Sequence, residues 1–148
     1  MRQVRVTVEI ERPAEEVFAF LEQVENSPLW LTNLRSCVWT SPPPIRVGST
    51  YDQVARFLGK DIAMTFEVTE LDRPRIMTAT SRSSPFPLTV AKRVAALTPE
   101  RCRVTGLVDA DPTGFYPIAP PVLASTAERD FRRDYHRLKC HLESVAQT

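Results

Sequence analysis

Tyr51-Asp52-Gln53-Val54-Ala55-Arg56-Phe57-Leu58-Gly59-Lys60-Asp61-Ile62-Ala63-Met64-Thr65-Phe66-Glu67-Val68 decides the fold. Two alternating runs meet at Gly59-Lys60, the pattern of a β-hairpin closed by a tight turn. A two-residue loop there pairs Tyr51 with Val68, Gln53 with Phe66, Ala55 with Met64 and Phe57 with Ile62. Paired residues share a face. Those eight therefore line one side, and all but Gln53 are apolar or aromatic. Asp52, Arg56, Asp61, Thr65 and Glu67 fall on the other, solvent side.

The strand pattern extends outward in both directions. Upstream, Gly48 opens the third strand, and Pro42-Pro43-Pro44 ends a second one running from Arg35 to Thr40. Val4, Val6, Val8 and Ile10 alternate with polar residues as a first strand. Pro13 then suits the first position of a helix, with Glu15 and Glu16 near its positive end. Ala14, Val17, Phe18, Leu21 and Val24 follow at helical spacing until Asn26-Ser27-Pro28 interrupts. A short helix or turn is expected from Leu29 to Leu34. Downstream, Asp72-Arg73-Pro74-Arg75 makes a turn. A fifth strand runs from Ile76 to about Arg82, with Met77, Ala79 and Ser81 facing inward. Strands six and seven span Leu88 to Leu97 and Cys102 to Ala110.

Asp111-Pro112-Thr113-Gly114 breaks the sheet, and Pro117, Pro120 and Pro121 delay a last helix that is regular from Val122. Its apolar seam is Ala124, Ala127, Phe131, Tyr135, Leu138, Leu142 and Val145. Glu128–Arg132 and Asp134–Arg137 flank it as exposed pairs worth a few tenths of a kcal/mol each. Burial of Phe131, Leu138 and Leu142 is worth about 1.5–3 kcal/mol apiece, so packing docks this helix.

This order of elements is α+β with an antiparallel sheet. Seven strands curl, and one helix cannot fill the concave side along its whole length. Where the seam thins to Ala124 and Ala127, a pocket is expected. An apolar void of ~300 Å³ costs on the order of 7 kcal/mol, close to a domain's net stability of ~5–15 kcal/mol. Such a space holds a guest or collapses.

Tyr51, Gln53, Ala55, Met64 and Phe66 are the candidate ligand contacts from the hairpin, and Met77 and Ser81 those from the fifth strand. Trp30, Phe115, Tyr116, Ala127 and Phe131 complete the set around the mouth and helix. Trp30 and Leu34 suit either a lid or ordinary core. Gln53 is the polar exception in a greasy wall. A buried amide needs a partner, which Ser81, Tyr51 or a ligand oxygen can supply.

Composition excludes other classes. At 148 residues the chain is one domain, and 43% apolar with 25% charged residues is ordinary globular composition. A formal charge of +1, from 19 basic and 18 acidic residues, gives no field for nucleic acid. No apolar run reaches the ~18 residues of a membrane span, so no stable insertion is expected. Cys37, Cys102 and Cys140 are odd in number and lack a close pair, which fits a reducing, cytoplasmic setting, and no signal peptide is expected. His136, Cys140 and Glu143 have metal-ligand spacing but lie opposite the seam among arginines, so no metal is expected. Both histidines lie on the polar side of the last helix, which argues against a nucleophile–base pair. Asp109 with Asp111, and Asp130 with Asp134, read as exposed charges. The glycines form no phosphate-cradling loop.

Four motifs then point to a family. Pro13-Ala14-Glu15-Glu16-Val17-Phe18 and Val47-Gly48-Ser49-Thr50-Tyr51 resemble the START-like, or SRPBCC, superfamily. So do Phe66-Glu67-Val68-Thr69-Glu70-Leu71-Asp72-Arg73-Pro74-Arg75 and Tyr135-His136-Arg137-Leu138-Lys139 with Leu142-Glu143. The resemblance runs over nearly the whole chain in matching order. It implies one helix-grip domain over 1–148, a seven-stranded curved antiparallel sheet wrapped around a long C-terminal helix, with one or two short helices after the first strand. Its members include polyketide cyclases and aromatases, lipid and steroid carriers, hormone receptors and chaperone co-activator domains. It supplies no catalytic motif that maps onto this chain. The expected function is binding or transport of a lipid, polyketide or aromatic metabolite, without a cofactor. The alternatives are a cyclase, aromatase or dehydratase in the same cavity, or a protein-interaction module using the outer sheet face around Arg56 and Glu67. A homodimer is left open.

Overall fold

The chain's computed structural model describes residues 2–111 and 120–145. Seven antiparallel strands form one sheet: β1 (Arg2–Ile10), β2 (Leu34–Trp39), β3 (Thr50–Phe57), β4 (Lys60–Asp72), β5 (Ile76–Ser83), β6 (Leu88–Thr98) and β7 (Arg101–Ala110). Their spatial order is β1-β7-β6-β5-β4-β3-β2, so consecutive strands from β2 to β7 pair as a meander. β1 and β2 hold the two edges. The segment between them, α1 (Ala14–Glu22) and a 3-10 helix (Val24–Leu29), bridges from one edge to the other. α2 (Pro120–Val145) closes the fold.

The alternation of the hairpin produces the expected faces but in a different register. Tyr51 pairs with Phe66, Gln53 with Met64, Ala55 with Ile62 and Phe57 with Lys60. The turn is Leu58-Gly59, with φ of 51° and 80°. Positive φ at both central residues is the type I′ geometry that matches strand twist, and Leu58 accepts it alongside Gly59. Moving the loop by one residue shifts the pairing by two, so every side chain keeps its face. Val68 leaves the hairpin pairs and instead exchanges backbone hydrogen bonds with Gly48 and Ser49, both at 2.8 Å.

The sheet curls because its ladders are interrupted. Register shifts occur at Leu34/Ser36, Thr65/Phe66, Val68/Glu70 and Ala96/Thr98. Each bulge bends its strand and raises the local twist. The concave face carries Val6, Ile10, Met64, Phe66, Met77, Ala79, Val94 and Val104, all buried.

The helical segments fill this concavity. Val17, Phe18 and Leu21 of α1 are buried, each burial worth about 1.5–3 kcal/mol. The short helix expected over Leu29–Leu34 lies earlier, at Val24–Leu29, and includes Pro28. A 3-10 helix needs few backbone donors, so a proline ends it without breaking a long ladder. α2 begins at Pro120 rather than Val122, because prolines in a first turn lack only donors that have no partner there anyway. It runs along β1, where Lys139 donates to the Glu9 carbonyl at 2.7 Å and Glu143 accepts the Glu11 N–H at 2.9 Å.

The buried stripe of α2 differs from the expected seam. Leu123, Asp134, Tyr135, Leu138 and Leu142 are buried, whereas Ala124, Ala127 and Phe131 are partly exposed. Glu128–Arg132 forms as expected, at 2.8 Å. Asp134 is not an exposed partner of Arg137. At 5% exposure it accepts the Thr32 hydroxyl at 2.7 Å and the Thr32 N–H at 3.3 Å. Asn33 donates likewise to Asp130 at 3.2 Å. The loop after the 3-10 helix covers this flank of α2 and supplies what solvent would have.

Candidate functional site

A cavity of about 70 Å³ lies between α2, the 3-10 helix and the concave face. Aromatic packing builds its wall. Trp30 meets Tyr135 edge-on at 4.9 Å, and Phe131 meets the same tyrosine at 4.9 Å. From the sheet, Tyr51 stacks on Phe66 at 5.3 Å and takes Trp39 edge-on at 5.3 Å. Gly106 on β7 makes room for Tyr135, because a Cβ there would overlap the phenol ring and its oxygen. The clip of Thr32 and Asn33 onto α2 holds the loop that carries Trp30 and Leu31.

The polar lining is sparse. Ser27, Trp30, Tyr51, Gln53, Lys92 and Tyr135 are its side chains with hydrogen-bonding atoms, amid Val24, Leu31, Val90 and Leu107. Burial pushes the phenols of Tyr51 and Tyr135 well above the ordinary tyrosine range, so both stay protonated and able to donate. Burial also pulls the Lys92 ammonium below its ordinary 10.5, opposed in part by interaction with Cys37. The Cys37 thiol is itself pushed up to about 11 by burial.

Of the residues the sequence singled out, Trp30, Tyr51, Gln53 and Phe131 stand along this cavity. Phe66 lies beside Tyr51 on the neighbouring strand, stacked on its ring, and Met64 and Met77 are buried in the sheet's inner face. Ala55 and Ala127 are partly buried away from the cavity wall. Ser81 accepts the Leu88 N–H at 3.1 Å across the β5–β6 connection, so its hydroxyl serves the loop and not Gln53. Phe115 and Tyr116 lie outside the described residues, as does Pro117. Trp30 and Leu34 are both core residues.

The cavity is also far smaller than the ~300 Å³ expected. Four rings from three elements fill the space that a count of seam residues left open. It lies under Phe131 and Tyr135, while Ala124 and Ala127 do not line it.

Lys92 was missed by sequence reasoning. It lies on β6 between Val90 and Val94, opposite Met77 of β5 and Gly106 of β7. A single lysine inside the period-two series Leu88, Val90, Lys92, Val94 was the available signal. Elsewhere charges are spent on one another. Arg56 pairs with Asp61 at 3.1 Å, and Glu67 with Arg82, both on the outer face. On α2, Glu143 binds Lys139 at 2.7 Å, and His141 lies against Phe20 at 5.4 Å. Among the described residues no cluster of His, Cys, Asp or Glu is arranged to hold a metal ion, and no helix is long and apolar enough to cross a membrane.

A family model described as polyketide cyclase / dehydrase and lipid transport matches residues 1–143. The chain belongs to this family. Solved structures share the fold of this family member at low identity. A START superfamily protein from Mycobacterium smegmatis superposes with a TM-score of 0.80 at 14% identity, over 97% of this chain and 98% of that one. TTHA0849 from Thermus thermophilus gives 0.77 at 19% identity, over 99% of each chain. The di-domain ARO/CYC BexL from the BE-7585A biosynthetic pathway gives 0.77 at 19% identity, over 100% of this chain and 48% of that one. No curated protein matches the sequence. The helix-grip architecture is common to all, and at these identities the likeness carries the fold alone.

Proposed function

We propose that this protein binds a small, mainly apolar molecule between α2 and the sheet, and holds or carries it without transforming it. One observation supports this above others: the rings of Trp30, Tyr51, Phe131 and Tyr135 converge on a cavity rather than interlocking fully. The family description, which joins polyketide chemistry to lipid transport, agrees with an apolar guest. In its present form the cavity measures about 70 Å³. A drug-sized guest occupies ~300 Å³ or more. Binding therefore requires Phe131 and the Trp30 loop to move apart, and Phe131 is already partly exposed.

The test is native mass spectrometry on protein purified from cells, followed by titration with lipids, polyketides and aromatic metabolites. The expected result is a retained or acquired guest, with a change in tryptophan fluorescence as Trp30 is displaced. A uniformly empty protein that also rejects the panel would end this reading.

The hydrogen-bonding atoms of Tyr51 and Gln53 favour a second reading, a cyclase, aromatase or dehydratase. Both side chains line the cavity, and among the described residues neither is engaged in a side-chain hydrogen bond. They would orient a carbonyl chain and share its developing charge. Turnover of a poly-β-keto substrate, reduced in Tyr51→Phe and Gln53→Ala, is the expected outcome on that reading. Turnover unchanged in both variants removes these residues from the chemistry.

A further inference from the structure

We infer that the guest is anionic at its buried end, an apolar monocarboxylate whose acid group pairs with Lys92. This rests on the binding function proposed above and adds the chemical class of the ligand.

Lys92 is the sole charged side chain among the described residues lining the cavity. Its inward direction is set by β6, where Val90 and Val94 share its face, with Gly106 of β7 opposite and the Tyr135 ring seated over that glycine. No carboxylate among the described residues pairs with it, although ion pairs form across β3 and β4, between β7 and β1, and along α2. The stretch 112–119 carries no acidic side chain that would serve instead. Lys92 keeps partial exposure, yet an ammonium set in an apolar wall without a counter-ion is less well stabilised than one paired with a negative charge.

The neighbouring polar groups are biased the same way. The hydroxyls of Ser27, Tyr51 and Tyr135 and the amide of Gln53 can all donate, and none carries a negative charge. Both phenols hold their protons more firmly than usual, so they remain donors in neutral and mildly alkaline solution. One ammonium and several neutral donors, framed by aromatic rings, complement a carboxylate with a hydrophobic tail. A neutral carbonyl or alcohol would accept a hydrogen bond from the ammonium but leave its charge uncompensated. An amine would be repelled. The desolvation that lowers the affinity of Lys92 for its proton is the same penalty that an entering anion would relieve.

The experiment compares chain-matched probes, decanoic acid, methyl decanoate and decan-1-ol, by native mass spectrometry and tryptophan fluorescence. Each is titrated into the native protein and into Lys92→Met, which keeps the stem and removes the charge. Native protein should prefer the acid by roughly tenfold or more, the range of a charge-assisted hydrogen bond. In Lys92→Met that preference should disappear while the alcohol binds as well as before or better. Equal binding of acid and alcohol to the native protein overturns the inference and leaves the binding function standing. An unchanged preference for the acid in Lys92→Met does the same. Rejection of all three probes and of the wider panel instead defeats the binding function itself. Should Lys92→Met fail to fold, Lys92→Gln is read by the same criteria, and the native comparison decides on its own.

Discussion

Gly106 stands between Val6 of β1 and Lys92 of β6, under the ring of Tyr135. Its lack of a Cβ is a packing requirement. Gly106→Ala would drive a methyl group into the tyrosine ring carbon and oxygen. The expected loss is about 3 kcal/mol, at the upper end of ordinary overpacking, measured by urea unfolding. Tyr135→Leu in the same chain should recover part of it, because the obstruction is that one ring. The same residue shows what sequence reading reaches. Tyr135 was legible as a seam residue from its spacing, whereas the need for glycine opposite it was not. That need arises from two side chains distant in sequence meeting at one point.

Two elements carry predictions of their own. The β3–β4 hairpin turns at Leu58-Gly59, where Leu58 is held at φ 51° and is 38% exposed. A leucine there gains little from burial and strains its backbone. Leu58→Asn creates the Asn-Gly pair favoured in type I′ turns and should stabilise the protein by about 0.5–1 kcal/mol. A higher midpoint in urea, with unchanged slope, is the readout. The second element is the loop that clips onto α2. Asp134→Ala removes the acceptor for the Thr32 hydroxyl and N–H and should cost about 1.5–3 kcal/mol, as for buried bonds to a charged group. Hydrogen exchange should rise first in the segment around Trp30. Sequence spacing put Asp134 on the exposed flank of an isolated helix, which is where a helix alone would leave it. The covering loop comes from about a hundred residues earlier and leaves no mark in the local pattern.

At the scale of the whole molecule, buried acids make the fold sensitive to alkali. Burial pushes the thiols of Cys37 and Cys102 up from 9.0 to about 11. Below about pH 9 both folded and unfolded chains keep these protons, and stability is at its full value. Between about pH 9 and 11 the unfolded chain releases them while the folded chain does not. The folded state then binds more protons, so stability falls as pH rises through that window. Tyr51 and Tyr135 act in the same direction from about pH 10 upward. Lys92, lowered instead, acts oppositely as pH approaches its ordinary 10.5. Four groups against one predict a net loss, on the order of 2–3 kcal/mol for each thiol. Urea unfolding across this range should show it, and Cys37→Ala with Cys102→Ala should flatten the slope between pH 9 and 11.

The sequence by itself determined what local periodicity encodes: seven strands, two flanking helical regions, and which residues of β3 and β4 face inward. A period of two survives any shift of register by two residues, so the faces held even though the turn moved from Gly59-Lys60 to Leu58-Gly59. Tertiary structure alone decided the size of the cavity and the burial of Asp134. Each depends on side chains from separate elements sharing one space. The ~300 Å³ void shrank to about 70 Å³ because Trp30, Tyr51, Phe131 and Tyr135, brought from a loop, a strand and a helix, close over the same concavity.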